Sequence, residues 1–257
     1  MHRQRRKGRI LPQVRVVLFP GITGEDRLFV DTMALTFPNH DTEIVRYPSI
    51  VAASRHLMDI PTAADGIAAR MAVANSPESV VFVGYSYGGN LAFEVAHRLI
   101  ARGDRIARLI LIDPALPNTA FRIKGNEPAQ ERSDGPVAVG PFAFRLVRVA
   151  LFVVGFLLPD RLRRKMTRRI LYDLRVYARR LWVPRPIGAR VLHIASEQLE
   201  PVVLKGWRRL CPLIRQVVVT GSHIDILRLP GRTAVAGAIR MELDGIDGDC
   251  LAVPARL

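Results

Sequence analysis

Short runs of apolar and β-branched residues recur along the chain, and most of them are apolar throughout instead of alternating with polar residues. Six such runs are predicted to be strands, at 14–19, 42–47, 79–84, 107–113, 189–195 and 215–220. Strands without alternation are typical of a sheet that is covered on both faces. The pattern therefore predicts a buried sheet.

Between these runs, the spacing of apolar residues becomes that of a helix. Two such stretches are 62–75 and 89–101. In the second, Leu91, Val95 and Leu99 recur every four residues and form one apolar stripe. Because strands that alternate with helices build parallel sheets, we expect an α/β fold, a mostly parallel sheet flanked by helices.

Three parts of the chain fall outside this alternation. Residues 115–186 contain no good strand and are predicted to form a helical insertion between two strands. The segment 1–13 is basic and lacks the apolar region of a secretory signal, so we predict a disordered arm. Residues 242–257 are predicted to be a flexible tail, which leaves 14–241 as a single domain.

Composition adds a strong charge imbalance to this picture. The 257 residues include 38 Lys and Arg against 23 Asp and Glu, a formal net charge of +15. An acidic partner, an anionic membrane surface or nucleic acid would each suit such a chain. The two cysteines, Cys211 and Cys250, provide neither a disulfide framework nor a metal-binding spacing. We therefore expect no metal or resident cofactor, and a reducing, cytoplasmic location.

The stretch VVFVGYSYGGNLAFEVAHRL (80–99) places Ser86 in a G-x-S-x-G motif between a predicted strand and a predicted helix. We call this turn the elbow and the helix that follows it the elbow helix. Such a turn forces its central residue into a strained conformation, and flanking glycines avoid collisions with the strand and the helix. The serine hydroxyl then stands at the start of a helix, whose dipole favours nearby negative charge. Ser86 is therefore predicted to be a nucleophile.

A serine nucleophile needs a base, and His223 is the best-placed of six histidines. It lies in a glycine-containing loop after the last predicted strand, at the sheet edge where ligands of parallel sheets bind. His40 and His56, in earlier loops, are weaker candidates. The others are expected to be structural or solvated: His2 in the arm, His97 in a helix and His193 in a strand.

The base needs an acid to orient it, and two positions compete for that role. Asp113 ends the strand that follows the elbow helix, whereas Glu197 and Glu200 follow the next strand and could reach the same histidine. The shorter side chain and its place at the strand end favour Asp113. If Asp113 is not catalytic, its expected role is to form a turn before Pro114. We predict Asp113 as the acid, with Glu197 as the alternative.

Three segments resemble the thioesterase domains of nonribosomal peptide and polyketide synthases, which have the α/β-hydrolase fold. They are GYSYGGNLAFEVAHRL (84–99), LILIDPALP (109–117) and GWRRLCPLIRQVVVTGSHIDIL (206–227). In domains integrated into synthases the acid follows the strand after the elbow helix, as Asp113 does. In many stand-alone editing thioesterases it follows the next strand, where this chain offers glutamates.

The resemblance also implies an oxyanion hole and a substrate class. The two donors would be the backbone N–H groups of Tyr87 and of Ile22, which lies in the loop FPGITGE (19–25). The substrate would be an acyl or peptidyl thioester of coenzyme A, or of the phosphopantetheine arm of a carrier protein. Such carriers are usually acidic, which would suit the basic surface of this chain.

The insertion contains the most apolar stretch of the chain, at 137–158. A membrane span there would separate Ser86 and Asp113 from His223, so we predict instead a lid whose apolar face lines an acyl channel. The following segment, 161–181, carries an apolar stripe among arginines: Leu162, Met166, Ile170, Leu174, Tyr177 and Leu181. A basic rim that steers an acidic carrier and a solvated helix packed on the body are equally consistent with it.

Together these features predict a serine thioesterase that hydrolyses or cyclises an acyl group through an acyl-enzyme on Ser86. A carboxylester hydrolase with the same three catalytic residues is one alternative. A non-catalytic protein that binds a membrane surface or nucleic acid through its basic segments is another. No nucleic-acid-binding motif supports the second alternative, and we expect no nucleic-acid partner.

Overall fold

Six strands form one parallel sheet, in the order β2-β1-β3-β4-β5-β6. In this computed structural model the strands are β1 (Val14–Phe19), β2 (Asp41–Ile44), β3 (Ser79–Tyr85), β4 (Arg108–Ile112), β5 (Val191–Ser196) and β6 (Ile214–Val219). Each overlaps one of the six predicted runs. The prediction of a mostly parallel sheet is confirmed.

Helices connect the strands. They are α1 (Arg27–Thr36), α2 (Ile60–Ala68), α3 (Tyr87–Ala101), α4 (Asp160–Leu181), α5 (Pro201–Leu210) and α6 (Gly231–Asp249). The structure describes residues 14–24, 26–47, 59–71, 79–117 and 159–249. The predicted arm at 1–13 and the apolar stretch 137–158 lie outside the described residues.

The buried strands supply side chains to two apolar layers, one on each face of the sheet. In β4, Leu109 and Leu111 pack with α2, α3 and α5, whereas Ile110 and Ile112 pack with α1 and α6. All four side chains are completely buried. Because both faces are covered, a strand of this sheet needs apolar residues at every position, which explains the pattern in the sequence.

The strand order reverses at β1. The chain runs from β1 outward to the edge strand β2 and then returns to β3 on the other side of β1. Helices α1 and α3 pack on opposite faces of the sheet, and ligands of parallel sheets bind at the carboxyl edge where the strand order reverses in this way. The loops that follow β1 and β3 carry Ile22 and Ser86.

The C-terminal helix extends further than the sequence predicted. Helix α6 continues to Asp249, so the predicted boundary between domain and tail falls inside a helix. Glu242, the first residue of the predicted tail, contacts the sheet, because its carboxylate accepts hydrogen bonds from Arg108 of β4 and Arg215 of β6, both at 2.9 Å. These ion pairs tie the later turns of α6 to the sheet.

Helix α4 is the main described part of the predicted insertion, and its predicted apolar stripe is buried only in part. Leu162 and Leu181, the ends of that stripe, are 44% and 56% exposed, whereas the four stripe residues between them are partly buried. Ala178 and Trp182 are buried, and the Trp182 indole donates to the Glu94 carboxylate of α3 at 3.0 Å. Among the described residues, no helix is long and apolar enough to cross a membrane.

Candidate active site

Ser86 lies in the turn between β3 and α3, with φ 54° and ψ −124°. A positive φ in a residue with a side chain costs on the order of 1–3 kcal/mol. The surroundings hold this conformation, since the Ser86 N–H donates to the Ile112 carbonyl at 2.8 Å. The local structure is therefore the strand-turn-helix elbow that the sequence predicted.

Two glycines of the elbow permit backbone contacts that a side chain would block. A Cβ atom at Gly84 would lie 2.5 Å from the carbonyl oxygen of Gly88, and one at Gly88 would lie 2.1 Å from that of Phe19. Gly88 thus lets the loop after β1, which carries Ile22, lie against the start of α3. Tyr87 is the first residue of α3, so its N–H has no partner within the helix.

Asp113 shares the backbone strain of Ser86. Its φ is 50°, and among the described residues it and Ser86 are the two non-glycine residues with positive φ. The Asp113 N–H donates to the Ile194 carbonyl at 2.7 Å, which continues the hydrogen-bonding ladder between β4 and β5. Strain of this kind tends to cluster at functional sites and persists only where the surroundings impose it.

The carboxylate of Asp113 is hydrogen-bonded to the imidazole of His223. The Nδ1 of His223 lies 2.6 Å from Asp113 Oδ2, and because a carboxylate only accepts, Nδ1 carries the proton. Neutral His223 then presents an unprotonated Nε2, the form that a general base needs. The structure thus brings together two of the three residues predicted for catalysis, which lie 110 positions apart in sequence.

Ser196, at the end of β5, completes the surroundings of this carboxylate. Its N–H donates to Asp113 Oδ1 at 2.7 Å, and its hydroxyl donates to Oδ2 at 3.0 Å. Burial alone would raise the pKa of Asp113, but the hydrogen bonds from His223 and Ser196 outweigh it and hold the pKa below its usual value. Sequence reasoning missed Ser196, although its place at a strand end on the same sheet edge was a usable signal.

Glu197 and Tyr85 both hold the histidine loop. Glu197, the alternative acid, accepts a hydrogen bond from the Gly221 N–H at 3.1 Å. The Tyr85 hydroxyl donates to the carbonyl of His223 at 2.9 Å, and its ring stacks on the imidazole with centroids 4.9 Å apart. Tyr85 therefore links the histidine loop to the residue next to Ser86. No local pattern predicts this contact, because it joins segments that are distant in the chain.

Two other described histidines, His193 and His40, lie in structural surroundings. His193 is completely buried in β5, its ring accepts a hydrogen bond from the Gln216 amide at 3.1 Å, and burial lowers its pKa to about 4. His40 packs edge-on against Phe37 just before β2, away from the carboxyl edge. His2 and His56 lie outside the described residues. No cluster of three or more metal-ligating side chains occurs within the described ranges.

Comparison with protein families matches residues 14–243 to the family described as "Thioesterase domain". The chain is a member of the thioesterase domain family. The family predicted from the elbow, the aspartate at the strand end and the histidine loop is thereby confirmed. A comparison with curated proteins finds no match.

Solved structures share the fold of this thioesterase. The NocB thioesterase domain, in covalent complex with a fluorophosphonate nocardicin G analogue, matches at a TM-score of 0.63 and 18% identity, covering 90% of this chain and 94% of that chain. RedJ, a thioesterase from the prodiginine biosynthetic pathway in Streptomyces coelicolor, matches at 0.59 and 20% identity, covering 89% and 90%. ClbQ, from the colibactin NRPS/PKS pathway, matches at 0.59 and 13% identity, covering 92% and 99%. Identities this low show the fold alone, and it is the predicted α/β-hydrolase fold.

Proposed function

We propose that this thioesterase hydrolyses acyl thioesters through a covalent acyl-enzyme on Ser86. The observation that carries the proposal is the hydrogen bond of 2.6 Å between His223 and Asp113, in a thioesterase-family chain whose Ser86 occupies a strained elbow. His223 acts as the base and Asp113 orients it. No metal or resident cofactor takes part in the proposed steps.

The first half-reaction transfers the acyl group to the enzyme. His223 Nε2 accepts the Ser86 hydroxyl proton while Oγ attacks the thioester carbonyl carbon. The carbonyl oxygen gains a negative charge, and the N–H groups of Ile22 and Tyr87 stabilise it by about 3–4 kcal/mol each. The intermediate then collapses, the C–S bond breaks, and the leaving sulfur takes the proton from His223.

The second half-reaction releases the product and restores the enzyme. His223 removes a proton from water, the resulting oxygen nucleophile attacks the acyl carbon, and Ser86 leaves with that proton. The product is a free carboxylic acid. Where the acyl chain carries its own hydroxyl or amine, this group replaces water and the product is cyclic.

We propose a carrier protein with an acidic surface as the physiological donor of the acyl group. Helix α4 supports this, because six of its basic side chains are exposed: Arg161, Arg164, Lys165, Arg168, Arg169 and Arg180. An open cavity of about 560 Å³ lies between α4 and the loop after β1, lined by Thr23, Asp26, Arg27, Leu28, Arg168 and Leu171. We propose that the phosphopantetheine arm enters through this cavity, because Thr23 in its lining directly follows Ile22 in the chain.

The lid role of the insertion and a cytoplasmic location remain part of this proposal. The buried thiol of Cys211 is compatible with a reducing compartment, and burial raises its pKa to about 12.

If the carrier is steered by charge, kcat/KM for a carrier-bound substrate should fall as the salt concentration rises, whereas kcat/KM for a small neutral thioester should change little.

The test of the reaction uses Ser86→Ala with a matched pair of substrates, one thioester and one oxygen ester of the same acyl chain. Wild-type enzyme should release the thiol faster than the alcohol, and Ser86→Ala should abolish thiol release while its thermal unfolding stays close to wild type. Near-normal thiol release by Ser86→Ala would refute the acyl-enzyme. A clear preference for the oxygen ester would identify a carboxylester hydrolase instead.

A further inference from the structure

One side chain of α4 reaches the loop that is proposed to form half of the oxyanion hole. Arg175 donates from its guanidinium to the carbonyl oxygen of Ile22. Its guanidinium carbon also lies over the ring of Tyr47, 4.9 Å from the centroid. Arg175 is partly buried, unlike the exposed arginines of the same helix.

Tyr47 holds the same loop from a second side. Its hydroxyl donates to the carbonyl oxygen of Pro20. Its ring meets the ring of Tyr87 edge-on, with centroids 6.0 Å apart. The pair of Arg175 and Tyr47 therefore contacts the backbone on both sides of the Gly21–Ile22 peptide and, through the Tyr47 ring, the side chain of Tyr87.

These contacts fix the orientation of one peptide unit. The Ile22 N–H belongs to the peptide between Gly21 and Ile22, and the carbonyl of this unit accepts a hydrogen bond from the Gly24 N–H at 2.9 Å. The preceding carbonyl, of Pro20, is bound by Tyr47, and the following one, of Ile22, is bound by Arg175. A planar peptide whose oxygen is held, and whose neighbours on both sides are held, has a fixed N–H direction.

Gly24 accommodates this pair of side chains. Its φ is 76°, a conformation that favours glycine, and a Cβ atom there would lie 3.2 Å from the Tyr47 ring and 3.4 Å from Arg175. The turn that binds the Gly21 carbonyl and the packing of Arg175 on Tyr47 thus depend on the same residue.

We propose that Arg175 is a positioning residue, which acts with Tyr47 to hold the Gly21–Ile22 peptide so that its N–H meets the oxyanion. The inference rests on the proposed serine mechanism with Ile22 as a donor. Charge develops on the substrate oxygen in the transition state and not in the bound thioester. Loss of the positioning should therefore lower kcat and leave KM nearly unchanged.

The experiment measures kcat and KM with a small neutral acyl thioester, so that carrier docking does not enter. Arg175→Met removes the guanidinium while keeping an unbranched side chain, and Arg175→Lys restores a charged donor. Arg105→Met is the control for charge, because Arg105 is exposed and precedes β4 at the opposite edge of the sheet. Tyr47→Phe keeps the ring under Arg175 and deletes the hydroxyl that binds Pro20.

We expect Arg175→Met to lower kcat about 10- to 100-fold with KM within about twofold, as for a misplacement near 1 Å of a catalytic group. Arg175→Lys should recover part of kcat, and Arg105→Met should match wild type. A wild-type kcat in Arg175→Met, or a loss confined to KM, would overturn the inference. Should Arg175→Met not fold, Tyr47→Phe decides: a lower kcat at unchanged KM supports the inference, and an unchanged kcat overturns it. Inactive wild-type enzyme would instead refute the proposed function.

Discussion

Replacement of Asp113 by asparagine tests the assignment of the acid most sharply. The carboxylate accepts three hydrogen bonds, from His223 Nδ1 at 2.6 Å and from the Ser196 N–H and hydroxyl at 2.7 and 3.0 Å. The amide of asparagine has one oxygen, and the buried Ser196 N–H needs an acceptor. That oxygen will therefore bind Ser196, and the amide NH₂ will face His223.

An NH₂ group at this place selects the wrong form of the base. His223 Nδ1 must then accept instead of donate, which moves the proton to Nε2 and removes the lone pair that would accept the Ser86 proton. The change leaves the shape of the site intact, so we expect kcat to fall on the order of 10⁴-fold, as for the corresponding change in a serine protease triad. Thermal unfolding of the variant should show that it is folded at the assay temperature.

The matched control is Glu197→Gln, assayed beside Asp113→Asn with the same acyl thioester. Glutamine keeps an oxygen that accepts from the Gly221 N–H, the contact that Glu197 makes at 3.1 Å. We expect activity within about fivefold of wild type, because glutamine keeps the acceptor and even complete loss of such a hydrogen bond costs only roughly 1 kcal/mol. A severe loss in Glu197→Gln together with near-normal activity in Asp113→Asn would refute the assignment.

Two further predictions follow from neighbouring side chains. Tyr85→Phe keeps the ring that stacks on His223 but loses the hydrogen bond to the His223 carbonyl, a loss of roughly 1 kcal/mol, so we expect kcat to fall about three- to tenfold. The kcat of Tyr85→Leu, which also loses the ring, should be lower still. Equal kcat values for the two variants would contradict a role for the ring. His193 has a pKa of about 4 in the folded state against 6.5 in the unfolded state, so the unfolded chain binds the proton first as the pH falls. The free energy of unfolding should therefore drop by roughly 3 kcal/mol between pH 6.5 and 4. His193→Phe should remove that part of the drop in denaturant titrations, and an unchanged pH dependence would contradict it.

The elements that the sequence predicted well are those set by local pattern. The strands could be predicted because a sheet covered on both faces needs apolar residues at each position of a strand, as in β4. The elbow at Ser86 was recognisable because its strand, its G-x-S-x-G turn and its helix follow one another within one short stretch of the chain. His223 and Asp113 could be proposed because parallel strands end at a common edge.

The features that the sequence did not reveal depend on contacts between distant segments. Ser196 binds Asp113 because the register between β4 and β5 pairs Ile112 with Ile194, which no local pattern specifies. The most deeply buried residues in and next to α4 were not predicted, since helical periodicity identifies apolar stripes but not which residues meet α3. A small residue, Ala178, and the hydrogen bond of Trp182 to Glu94 decide the packing instead.

The most direct measurement is the intact mass of the enzyme, quenched in acid within the first turnovers on an acyl thioester, followed by mapping of the modified peptide. The account predicts a mass increase equal to one acyl group, located on Ser86 and absent in Ser86→Ala. Turnover of the thioester without any adduct on Ser86, or the same adduct on the Ser86→Ala protein, would contradict it.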